Sequence, residues 1–115
     1  MRVRPLFILM SLAVLLPAGG AGAAPTKLLG LPDMSCNAWK ATKGEADRRE
    51  PYLQWVRGFL SGHNYASPSA QVAEVSAGTV EVFVDRYCAE RAAATVAEAA
   101  MRMSDRYSGR NAPPK

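Results

Sequence analysis

The chain is poor in the residues that carry chemistry. Its 115 residues hold one histidine, His63, and two cysteines, Cys36 and Cys88, with no Cys-x-x-Cys pair. A zinc site therefore lacks ligands, and no metal or cofactor is expected. No nucleophile-elbow motif surrounds Ser61 or Ser67, the serines nearest His63. Neither a phosphate-binding glycine loop nor a dinucleotide fingerprint is present. Glu81 and Asp85 stand at i,i+4, and that spacing suits a solvated helix face more simply than paired acid and base. No block of five or six like charges occurs, which removes the usual footprint of nucleic-acid or anionic-membrane binding. What these scarcities leave is not an enzyme but a protein whose work is packing or binding another protein.

Long apolar runs are scarce as well, and the one that exists is at the start. Arg2 and Arg4 precede an apolar stretch from Leu6 to Leu16 broken only by Ser11, followed by small and turn-forming residues. Ala21 and Ala23 then supply the small side chains of a cut before Ala24. This is the three-part layout of a secretory signal peptide over residues 1–23. The run is shorter than the roughly 20 apolar residues a spanning helix needs, so no membrane insertion is expected after cleavage. The expected location is the periplasm or the medium. Of the 14 basic side chains, 12 then remain against 10 acidic ones, and the net charge falls from +4 to +2.

In such a compartment a cysteine pair persists as a disulfide. Cys36 and Cys88 read as one bridge, which by loop entropy stabilises a fold of this size by about 4 kcal/mol. A small domain with a thin core depends on such a staple.

The mature chain reads as helical. Asp33 or Ser35 can cap a short helix carrying Cys36 and Trp39 and ending by Gly44. Residues 45–49 are polar apart from Ala46 and read as a solvated loop or frayed turn. Pro51 suits the first position of the next helix, with Glu50 marking the boundary. On that helix Tyr52, Trp55, Val56, Phe59, Leu60 and His63 share one face. The face reads as core, or as a binding surface anchored by Trp55 and Phe59, part of it shared with a second subunit. His63 reads either as a pH switch or as a polar side chain closing the helix end. Gly58 and Gly62, one turn apart, suggest close approach of another helix. Residues 69–75 suggest one more helical turn with Val72 and Val75 inward.

From Thr79, a ready N-cap, Val80, Phe83, Val84, Tyr87 and Cys88 keep helical spacing for longer than a strand usually lasts. The alternation of Val80, Val82 and Val84 resembles a strand, but no second strand exists to pair with it. Thr95 and Glu98 form a capping box. After it Val96, Ala99, Ala100, Met103 and Tyr107 make a buried face, Glu98 and Arg102 stand at ion-pair spacing, and Gly109 is a C′ residue. The expectation is an all-α single domain over residues 24–108, of four to five short helices stapled by one disulfide, with residues 109–115 a disordered tail.

The pattern also resembles a known family. A cysteine before a Trp-x-x-Gly helix (Trp55-Val56-Arg57-Gly58-Phe59), a valine-rich helix ending Tyr87-Cys88, and a break before Thr95 and Ala99 are similar to the HdeA/HdeB family of small periplasmic proteins. The similarity covers roughly residues 35–103. It implies an all-α domain with one disulfide, often dimeric, acting as an acid-stress chaperone on unfolded clients. Cys36 and Cys88 match the family's bridge, and Trp55 and Gly58 its central helix. Where that family often carries an Asn-Pro pair after the second cysteine, this chain has Ala89-Glu90-Arg91-Ala92, and its tail lacks a lysine-rich end. Gly58-Phe59-Leu60-Ser61-Gly62 resembles a motif of the Tai-type immunity proteins of type VI secretion, which implies the alternative of stoichiometric toxin binding.

Overall fold

A computed structural model of the chain describes residues 26–109. The leader expected at 1–23 and the tail expected beyond Gly109 lie outside these residues. Among the described residues there are four helices and no strand: α1 (Cys36–Lys40), α2 (Ala46–Ala66), α3 (Ala77–Glu90) and α4 (Val96–Tyr107). Helices α2, α3 and α4 pack pairwise, and α1 lies against α3. Cys36 and Cys88, 52 positions apart, form the disulfide that ties α1 to α3.

Local signals set most helix starts. Ser35 caps α1 by accepting from Ala38 N at 3.0 Å. Asp33 stands one step back, its Oδ1 accepting from Ser35 N at 2.9 Å. Hydrogen bonds from the Ser35 side chain and backbone hold the Asp33 carboxyl below the usual carboxylate range. Gly44, at φ +79, closes the turn after α1 in the left-handed region that favours glycine. At α4 both halves of the capping box form: Glu98 N donates to Thr95 Oγ1 and Thr95 N to Glu98 Oε2, each at 3.1 Å. The Glu98 carboxylate thus turns back to the cap rather than onward to Arg102. Ser108 is the C-cap of α4, and Gly109 follows at φ +74 as expected.

The two caps are also tied to each other. Cys36 N donates to Ala94 O at 2.9 Å and Val96 N to Met34 O at 2.7 Å, pairing Ser35 with Thr95 as an antiparallel bridge. The starts of α1 and α4 are thereby fixed together beside the disulfide.

Several further expectations fail, for tertiary reasons except at α3, where the cap is local. Helix α2 starts at Ala46, so residues 46–49 are helical and Pro51 is the sixth residue rather than the first. An interior proline costs about 3 kcal/mol through its missing N–H and ring clash. The extension is retained because it delivers Arg49 to buried partners. Residues 69–75 form no helical turn; Asn64 holds that loop instead, accepting from Val72 N at 2.7 Å and donating to Val72 O at 2.9 Å. Val72 is buried and Val75 packs against the core, as expected. Helix α3 starts three residues early because Ser76, not Thr79, is the cap, accepting from Thr79 N at 3.1 Å. Tyr107 is 40% exposed, since the buried line of α4 ends at Met103 and Ser104.

The core joins all four helices. Trp39, Val56, Val80, Val84, Val96, Met103 and the disulfide are fully buried, with Leu53, Leu60 and Val72 nearly so. By transfer energies, each large apolar side chain so buried contributes about 1.5–3 kcal/mol.

Candidate functional site

The site begins with a charge that the fold takes out of water. Arg49 sits on the first turns of α2 with its side chain only 6% exposed. Its Nη1 donates to Glu81 Oε1 at 2.8 Å and to Asp85 Oδ2 at 3.3 Å, both on α3. Its Nε donates to Thr42 Oγ1 at 3.1 Å, and Thr42 in turn donates to Trp39 O at 2.6 Å. The guanidinium carbon lies 3.9 Å from the centroid of the Trp39 ring, a cation–π contact. Trp39 closes the circuit, its Nε1 donating to Asp85 Oδ1 at 2.8 Å. Arg49 therefore joins α2 to α1 and α3 through one cation and two carboxylates. Those carboxylates are 42% and 49% exposed, so the cation is buried while its partners still reach solvent.

Beside this knot lies the α2 face singled out above. Val56 and Leu60 are core; Tyr52, Trp55 and Phe59 form a half-buried shoulder. Leu53, missed in the sequence reading, is buried because the core side of α2 runs Arg49, Leu53, Val56, Leu60, turned from the expected face. The arm ahead of α1 crosses the shoulder. Trp55 Nε1 donates to Leu29 O at 2.6 Å and Tyr52 Oη to Asp33 O at 2.7 Å. Trp55 stacks on Phe59 at 5.6 Å, and Tyr52 meets Trp39 edge-on at 5.8 Å. His63 holds the far end, its Nε2 2.8 Å from Ala70 O.

Among the described residues, Gly58 and Gly62 do not meet another helix. A Cβ at either would find nothing within 4 Å. Gly58 lines a depression of about 370 Å³ between α2 and residues 72–75, because the loop held by Asn64 passes over α2 without touching it there.

A larger open groove, about 1060 Å³, runs between α3 and α4 on the opposite side of α3 from its contact with α1 through Cys88 and Asp85. Its rings are Phe83, stacked on Tyr87 at 6.5 Å and tilted against Tyr107 at 6.1 Å. Arg91 covers Tyr87 at 4.7 Å, and Arg86, Arg102 and Arg106 stand along the walls. In the sequence this groove left only a faint trace, since Phe83, Tyr87 and Tyr107 all fell on faces expected to be core.

Among the described residues no group of three or more His, Cys, Asp or Glu is placed to hold a metal ion, and no helix is long and apolar enough to cross a membrane. No protein-family model, no curated protein and no solved structure matches the chain.

Proposed function

We propose that this is an exported helical protein that loosens in acid and then holds unfolded proteins on the apolar face of α2. The observation that carries the reading is the Arg49 knot. An arginine keeps its charge at any physiological pH, whereas carboxylates in general take up protons below about pH 4. Arg49 has Glu81 and Asp85 as its only charged partners, since Trp39 and Thr42 are neutral, so the buried cation depends on those two charges. The other nearby ion pair of α2, Arg48 with Glu45, is at the surface and contributes little.

What gives way is then α2. The Cys36–Cys88 bond keeps α1 on α3 at every pH, while α2 is held without a covalent tie, by the core packing of Leu53, Val56 and Leu60 and by the charges around Arg49. Tyr52, Trp55, Val56, Phe59 and Leu60 are the side chains it would expose. The arm responds in the same direction. Asp33 has a lowered folded-state pKa, so its hydrogen bonds to Ser35 favour the fold above the ordinary carboxylate range, and that contribution is lost as pH falls from there through the lowered folded-state value. Twelve basic side chains and His63 bring the mature chain to about +13 in acid, and self-repulsion of that size keeps client complexes dispersed. The leader-like residues 1–23 and the resemblance to HdeA/HdeB proteins support a periplasmic setting.

Light scattering tests the reading. The protein is expected to suppress aggregation of acid-denatured proteins at pH 2–3 and to do nothing at pH 7. Absence of suppression at pH 2–3 would rule the reading out.

A further inference from the structure

The geometry points to the α3–α4 groove as a docking site, near neutral pH, for an acidic peptide segment carrying one large apolar side chain. The floor supplies the apolar half of that match. Phe83 and Tyr107 meet at 6.1 Å, and Val82 at the rim is 61% exposed, too much apolar surface to be explained by the core. The walls supply the charge. Arg86, Arg91, Arg102 and Arg106 stand against Glu90 and Asp105, an excess of two positive charges along one cleft. Arg91 is engaged by Glu90 and by the Tyr87 ring. Arg86, Arg102 and Arg106 are exposed, and among the described residues no hydrogen bond or ion pair engages them.

Guanidinium groups in this state pair with carboxylates, often through two parallel hydrogen bonds. Residues 110–115 include Arg110 and Lys115 and no acidic side chain, so that segment does not supply the charge match. A nucleic-acid strand fits less well, because Glu90 and Asp105 would face its continuous row of phosphates. A peptide can space its carboxylates between them. The site does not depend on acid loosening; in acid the peptide's own carboxylates would lose the charge that the groove recognises.

Fluorescence anisotropy at pH 7 tests this with the disulfide-bonded protein and a labelled short peptide in which glutamates flank one tryptophan. Binding is expected, about tenfold weaker when the glutamates become glutamines, a loss of about 1.4 kcal/mol. Added salt should weaken it further. The R86E/R102E protein should lose at least the same factor with unchanged far-ultraviolet circular dichroism, and R86Q/R102Q should fall between. Equal binding of the glutamine peptide, or no effect of the arginine substitutions, overturns the proposal. So does tighter binding of a single-stranded oligonucleotide, or a concentration-dependent dimer that R86E/R102E abolishes.

Discussion

Arginine is used in two opposite ways on the two sides of α3. On one side Arg49 is withdrawn from water, stacked on Trp39 and held by Thr42, Glu81 and Asp85. On the other, Arg86, Arg102 and Arg106 stand exposed along an aromatic groove. The residue type is the same and the consequences differ. A buried cation makes the fold depend on the ionisation of its partners; exposed cations leave the fold alone and present donors to something else. Substitutions on the first side should therefore register in stability and pH response, and those on the second in binding.

The largest expected effect removes the frame that both sides share. Cys36→Ser with Cys88→Ser should cost about 4 kcal/mol by the loop-entropy argument, read as the loss of urea or thermal stability. An oxidised protein that is no more stable than this variant would contradict the staple. Next comes the knot. Glu81→Gln with Asp85→Asn leaves Arg49 buried without its carboxylates. Half-exposed partners put the loss near the lower end for buried charges, about 1–3 kcal/mol at pH 7. Arg49→Met should cost less, because the carboxylates it abandons already reach water. If R49M is instead the more damaging change in urea denaturation, packing of the arginine outweighs its charge.

The comparison also shows what was legible in the residues. Features fixed by neighbours in sequence could be read: the Ser35 and Thr95 caps, the helical spacing of Val80, Val84 and Cys88, the Gly109 terminus. The disulfide followed from having two cysteines and one expected compartment. Arg49 could not be read, because its partners are 32 and 36 positions away and the run around it is polar. Pro51 then misled in the same place, as local preference favours a helix start that the tertiary contacts override. Residues 69–75 failed similarly; two side-chain bonds from Asn64 supply what a helical turn would have supplied. The groove was barely legible because it exists only where two helices bring their outer faces together. Aromatic residues at helical spacing were assigned to the core, and Tyr107 stands at its edge.

Smaller effects separate fold from surface. Gly58→Ala and Gly62→Ala have open space at the new Cβ and helical neighbours, so each should add about 0.5–1 kcal/mol. A rise in thermal midpoint for both checks that no helix approaches there, and the added stability should lower the pH at which α2 loosens. Smallest of all, Arg86→Gln and Arg102→Gln should change stability by no more than about 0.5 kcal/mol. A larger loss in urea would mean that the groove arginines hold the fold after all.

The most direct measurement is the stability to urea of the wild type and of R49M at pH 7 and at pH 3. With Arg49 as the acid-sensitive point, the wild type loses stability steeply between the two, and R49M loses markedly less. Equal losses in the two proteins would contradict it and leave the acid response to net charge alone.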